Sequence, residues 1–149
     1  MKIRLLKEKD IAVASKIVGT NYPTRSRLWE RLSRQEMKSM FKNYLPPSYL
    51  VAEDDGKIIG LTGYAQSWMD YHVYHIFWVN VLPKYWNQGV GTALVKTAIH
   101  NVRKKKGNDK ALMILLTARK PSLYRKLGFK MLTKFRKEKY HLMMLNMET

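Results

Sequence analysis

Two glycines, Gly89 and Gly91, stand in the stretch PKYWNQGVGTALV (Pro83 to Val95), directly before a run of helical spacing. Glycine is costly at a helix start unless the backbone needs the room. The first N–H groups of a helix have no partner inside it, and the helix dipole makes that end weakly positive. With no Cβ in the way, such N–H groups could receive a phosphate or pyrophosphate. The same glycines would equally serve a tight turn with close strand–helix packing, and G-x-G alone does not separate the two. Three nucleotide loops fit badly. No G-x-x-x-x-G-K-[ST] occurs. A dinucleotide fingerprint needs a third glycine where Leu94 stands. It also needs a carboxylate roughly twenty residues on, where the chain runs into Arg103-Lys104-Lys105-Lys106. The HRD and DFG elements of a protein kinase are missing.

The longer stretch VNVLPKYWNQGVGTALV resembles the acetyl-CoA signature of the GNAT superfamily of N-acetyltransferases. There a strand ending V-x-P-x-Y leads through [RQ]-x-x-G-x-[GA] into a helix. Val81-Leu82-Pro83-Lys84-Tyr85 matches the approach, and Gly89-Val90-Gly91 matches the glycines. A second family element, Y-x-K-x-G-F, is matched by Tyr124-Arg125-Lys126-Leu127-Gly128-Phe129. Five residues depart from the pattern. Trp86 replaces the usual Arg or Gln, and Asn87 stands where glycine is common. Thr117 replaces an asparagine that many members carry, and Leu112 and Met113 occupy the stretch where some peptide-acetylating members place a glutamate base.

The resemblance implies direct acetyl transfer from acetyl-CoA, as co-substrate, to a primary amine, with no covalent enzyme intermediate and no metal. It implies that Val79, Asn80 and Val81 pair with the pantetheine arm, and that an N–H near Val81 or Leu82 faces the thioester oxygen. Trp86, Asn87, Gln88, Gly89, Val90, Gly91 and Thr92 would surround the pyrophosphate, with Thr117 and Tyr124 beside the arm. Tyr124 matches the family's general acid. A phenol of reference pKa about 10 stays protonated near neutrality. Packing is its other role.

An ammonium must lose a proton before it can attack. Asp70, His72 and His75, at the entry of the central strand, are the candidate bases, and relay through water stays open. On a regular strand His72 and His75 point to opposite faces, which argues against a two-histidine metal site. Trp68, Tyr71, Tyr74, Phe77 and Trp78 could line an acceptor pocket, half of them as core because strand faces alternate. Arg103 to Lys106 could reach the adenosine 3′-phosphate or be a solvated helix end.

The elements that must position these groups follow from pattern. KIRLL, residues 2–6, reads as a first strand. Asp10 is placed to cap a helix to about Val18, and Thr24 to cap another from Arg25 to about Lys42. Asp54-Asp55-Gly56 makes a hairpin turn between Tyr49–Ala52 and Ile58–Tyr64. Tyr71 to Leu82, rich in aromatic and β-branched residues, is a central strand. A helix from Gly89 buries Val90, Leu94, Val95, Ala98, Ile99 and Val102. Ala111 to Leu116 is a buried strand, and Pro121 to Leu127 a short helix. Lys130 to Phe135 and Tyr140 to Asn146 are strands joined by the charged RKEK; Met143, Met144 and Met147 read as core filler. The order predicts one mixed α/β domain over 1–149. With the resemblance, that implies a GNAT-like fold: a mostly antiparallel, twisted sheet of about six to seven strands flanked by about four helices.

Composition narrows the classes further. The chain has 149 residues and no cysteine, which removes disulfides and a thiolate nucleophile and fits a cytoplasmic protein. No run of 18 apolar residues occurs, and the first residues lack the apolar core of a signal peptide, so no membrane partner is expected. The net charge is +17, and residues 101–149 alone carry 14 Lys+Arg against 3 Asp+Glu. That field would attract polyanions, or be a solvated surface. A nucleic-acid module lacks any RRM, zinc-finger or helix-turn-helix signature. A CoA-binding sensor of weak activity is the other alternative, given Trp86 and Thr117. The acceptor, a small molecule or a protein, stays open, and so does the homodimer that many members of the family form.

Overall fold

The fold is taken from a computed structural model, which describes residues 1–43, 45–135 and 139–148. In chain order the elements are β1 (Lys2–Leu5), α1 (Ile11–Asn21), α2 (Ser26–Ser39), β2 (Ser48–Asp54), β3 (Lys57–Gln66), β4 (Val73–Val81), α3 (Val90–Arg103), β5 (Met113–Ala118), α4 (Ser122–Lys126), β6 (Lys130–Phe135) and β7 (Tyr140–Asn146). The strands form one sheet in the order β1-β2-β3-β4-β5-β7-β6. Every neighbouring pair is antiparallel except β4 and β5. The mixed α/β, mostly antiparallel architecture is the expected one.

Helices cover both faces. Ile11, Ala14, Ile17 and Val18 of α1 and Met37 of α2 pack with Tyr49, Val51 and Leu61 on one face. On the other, Val90, Leu94, Val95, Ala98, Ile99 and Val102 of α3 pack with Ala52, Ile76, Val81, Ile114, Leu116 and Met143. The apolar stripe read for α3 is the stripe it buries. Met143 and Met147 are core and Met144 is half-buried.

Several boundaries and both caps differ from the sequence pattern. Asp10 does not cap α1. Its carboxylate accepts the Lys7 N–H at 2.8 Å and the Arg4 guanidinium at 2.7 Å, so it ties the entry of α1 to β1 instead. The Arg4 contact is the chief cause that holds Asp10 below its ordinary pKa, though burial opposes it. Thr24 does not cap α2, because Pro23–Arg25 forms its own single helical turn. The helix ends at Ser39, short of Lys42. β4 begins only at Val73, and β5 lies two residues later than the pattern placed it. The hairpin turn is as expected, with Asp55 and Gly56 both at positive φ. Of RKEK, only Lys139 falls within the described residues.

Candidate active site in the fork between β4 and β5

The two parallel strands pair only at Val73–Met113, Tyr74–Ile114 and His75–Leu115. Beyond that point β4 stays with β3 as far as Val81, while β5 stays with β7 as far as Ala118. The sheet therefore opens as a fork whose arms are the C-terminal halves of two parallel strands. The β4 arm, Ile76 to Val81, is about 20 Å long at a strand's rise per residue. A crevice at the carboxyl ends of parallel strands is where α/β sheets bind ligands.

A β-bulge shapes the β4 arm. The register with β3 shifts between Leu61 and Gly63, and Trp78 takes a φ of 51°. Strict alternation fails there. Phe77 and Trp78, consecutive in sequence, both pack toward the α1/α2 face, and Val79 and Val81 turn to the α3 face. Past the bulge the Leu82 N–H donates to the Ile59 carbonyl at 2.8 Å. By strand alternation Asn80 also pairs with β3, and the backbone of Val79 and Val81 faces the fork. Leu82 is thus committed to β3. The Val81 carbonyl is taken by Asn21 and Trp86, so the Val79 main chain and the Val81 N–H are the groups left facing the fork.

The glycine loop closes the far end of that arm. Trp86 donates its indole N–H to the Val81 carbonyl at 2.8 Å, and Gln88 donates its amide to the Lys84 carbonyl at 2.9 Å. Both side chains hold the loop together. Asn87 and Gly89 have φ of 61° and 81°. The first α3 bond runs from the Ala93 N–H to the Gly89 carbonyl at 3.0 Å. Among the described residues, no N–H from Asn87 to Thr92 makes a well-formed bond to a backbone carbonyl. A Cβ on Gly89 would meet nothing within 4 Å, and one on Gly91 only Val81 and Val79, at 3.8 and 4.0 Å. The fold itself therefore does not need Gly91 for packing. These open amides fit a pyrophosphate.

Tyr124 enters from the β5 arm. α4 ends at Lys126, and Gly128, with φ of 97°, turns the chain so that Phe129 donates its N–H to the Tyr124 carbonyl and buries its ring against the Tyr124 ring, with 6.0 Å between centroids. Burial, with the nearby Tyr22 adding to it, pushes the Tyr124 phenol up to about 12. Thr117 lies exposed on the same arm.

The candidate bases separate. His75 sits at the last β4–β5 pair, half-buried, and burial pushes its pKa down. Asp70 and His72 lie in the turn before β4, where Asp70 accepts the His72 N–H and the His72 ring meets the Lys110 carbonyl at 2.6 Å. That turn is at the opposite end of β4 from the bulge, with exposed Trp68 and Tyr71. Tyr74 is core and donates its hydroxyl to the Asp109 carbonyl. Arg103 to Lys106 end α3 about 20 Å from the glycine loop, at a helix's rise per residue.

Sequence reasoning missed the groups that α1, α2 and β2 bring to the fork. Asn21 donates its amide to Asn80 Oδ1 and to the Val81 carbonyl, each at 3.0 Å. Tyr22, Trp29 and Trp78 form a ring cluster with centroids 5.7 to 6.3 Å apart. Tyr22 lies near Arg119 and Tyr140, so the end of α1 reaches toward the β5 arm. The only sequence signal there was NYP, read as a helix break. Among the described residues no group of three or more His, Asp and Glu could hold a metal, and no helix is long and apolar enough to cross a membrane.

Comparison with known proteins gives the same picture. The model of the acetyltransferase (GNAT) family matches residues 16–129. The fold is similar to an N-acetyltransferase, PaiA, from Thermoplasma acidophilum solved with coenzyme A, at TM-score 0.70 and 21% identity over 98% of this chain and 99% of that one. It is similar to a GNAT family acetyltransferase from Brucella melitensis solved with acetyl-CoA, at TM-score 0.72 and 18% identity over 99% and 88%. An aminoglycoside 6′-acetyltransferase type Ii superposes at TM-score 0.75 with 17% identity over 100% and 99%. No curated protein matches the chain at a significant level.

Proposed function

The chain belongs to the acetyltransferase (GNAT) family, and from that membership and the geometry of the fork we propose that it transfers an acetyl group from acetyl-CoA to a primary amine by direct attack. The fork carries the reading: a strand edge with free main-chain groups leads straight into a loop of open amides at a helix start. The Val79 main chain and the Val81 N–H hold the pantetheine arm along one edge. The N–H groups from Asn87 to Thr92, aided by the α3 dipole, take the pyrophosphate. The Val81 N–H is the donor that faces the thioester oxygen as it becomes negative.

The amine nitrogen forms a bond to the thioester carbon, and the carbon–sulfur bond breaks. One proton leaves the acceptor nitrogen and one reaches the sulfur. His75, kept neutral by burial at the fork's apex, is the base within the described site. Tyr124, kept protonated by burial, supplies the proton to the departing thiolate. The absence of cysteine fits a direct transfer and a cytoplasmic setting.

Calorimetric titration with acetyl-CoA, followed by a thiol-release assay on a panel of amines, tests this. Micromolar binding and amine-dependent thiol release are expected. A folded protein that binds no acetyl-CoA would overturn the reading.

A further inference from the structure

The α1/α2 side of the bulge holds a pocket of ≈ 400 Å³ lined by Glu36, Ser39, Pro47, Tyr49, Phe77 and Trp78. Two of its polar groups bear on a ligand, one buried and unpartnered, the other exposed. Tyr49 is fully buried, and its hydroxyl has no hydrogen-bond partner among the described residues. Leaving such a group bare is costly. Burial pushes its pKa up, so it remains a neutral hydroxyl with lone pairs to offer. The second group is Glu36. α2 is strongly basic, and Glu30 on it pairs with Arg34 at 3.3 Å. Glu36 makes no ion pair among the described residues. It accepts the Trp78 indole N–H instead, which turns the carboxylate toward the bulge.

The walls are aromatic by construction. A Cβ at position 63 would stand 2.4 Å from the Phe77 ring and 2.8 Å from the Tyr49 ring, so only glycine lets both rings lie across β3. They meet edge to face with centroids 5.8 Å apart. A bare hydroxyl, an unpaired carboxylate and electron-rich ring faces together suit one kind of guest, an organic cation.

We propose that this pocket selects the acetyl acceptor: it holds a second ammonium group of a diamine, so that the other amine of the same molecule reaches the thioester at the bulge. The pocket and the bulge share Trp78, so a short diamine can reach from one to the other. This rests on the acetyl-transfer reading, and its test is arranged to fail separately.

The test is titration of 1,5-diaminopentane or pentylamine into the protein at fixed ionic strength without acetyl-CoA. The Trp78 indole N–H resonance, assigned by its loss in Trp78→Phe, is the readout. The diamine should give a saturable shift at about tenfold lower concentration than the monoamine. Glu36→Gln keeps an acceptor for the indole and removes the charge, so it should erase that preference. Tyr49→Phe, which keeps the ring, should weaken the diamine severalfold. Equal affinities for the two amines, or an unchanged preference in Glu36→Gln, would overturn the proposal. Acetyl-CoA binding without a diamine shift overturns the pocket alone. A diamine shift without acetyl-CoA binding upholds the pocket and overturns the transfer.

Discussion

On the proposed donor side of the fork, the groups that face the ligand are main-chain: the Val79 edge, the Val81 N–H and the open amides from Asn87 to Thr92. On the proposed acceptor side they are side chains, and they come from four separate elements: Asn21 from α1, Trp29 and Glu36 from α2, Tyr49 from β2, Trp78 from β4. A backbone site depends on local conformation, which a few glycines and a strand–helix junction dictate. A side-chain site depends on what the rest of the chain carries to the same place. The donor side should therefore fail through backbone-directed changes, and the acceptor side through changes of charge and shape.

Gly91→Asp should have the largest effect. The position has room for a Cβ, so the variant should fold. A carboxylate about 4 Å from a phosphate costs about 4 kcal/mol at a surface-like dielectric, roughly a thousandfold in affinity. Gly91→Ala, meeting only ordinary contacts, should cost far less. Calorimetry with acetyl-CoA beside a thermal melt checks both. A folded Gly91→Asp protein of unchanged affinity would remove the pyrophosphate from this loop.

Tyr124→Phe should lower kcat about a hundredfold and leave acetyl-CoA affinity within a few-fold, because it takes away a proton and little volume. Single-turnover kinetics isolates the chemical step; an unchanged step would return Tyr124 to packing against Phe129. His75→Gln should lower kcat/KM about tenfold. The wild-type rate should rise with pH and level off through a value below the usual histidine pKa near 6.5, since burial favours the neutral ring. The same sign holds for stability. The folded pKa lies below the unfolded one, so protonation favours the unfolded chain, and stability falls as pH drops below about 6.5. A pH profile of His75→Gln that keeps the acid limb would assign it elsewhere.

The same contrast decides what the sequence showed. Gly89 and Gly91 before an apolar helical stripe, and Tyr124 four residues before Gly128, are local patterns, each readable within a few residues. The seven-strand sheet was legible because each strand carries its own alternation or apolar run. The bulge was not legible: Trp78 is no different in sequence from a regular strand residue, yet its positive φ puts it on the same face as Phe77. That single shift also undid the alternation argument for the aromatic cluster. Asp10 and Thr24 looked like caps because type and position suit one, but Arg4 and Lys7 claim Asp10, and Pro23 starts a separate turn at Thr24. Glu36 and Tyr49 carried no signal at all, because their meaning lies in the pocket they share.

Trp86 tests where the donor side stops being pure backbone. Its indole N–H clasps the Val81 carbonyl, which Asn21 also holds from the other side. Trp86→Phe removes one neutral hydrogen bond and leaves the carbonyl its second donor, so the loss should be about 0.5–1 kcal/mol, or about two- to fivefold in acetyl-CoA affinity. Trp86→Arg asks the sharper question. Arginine loses the clasp but brings a guanidinium that could pair with the pyrophosphate through charge-assisted bonds. If Trp86→Arg tightens acetyl-CoA and Trp86→Phe weakens it slightly, the indole is a local strut and phosphate recognition by the loop can still gain from a side chain. If both variants weaken binding alike, the clasp that fixes Val81 matters more than any added charge. The donor side would then depend on a side chain after all, as the acceptor side does.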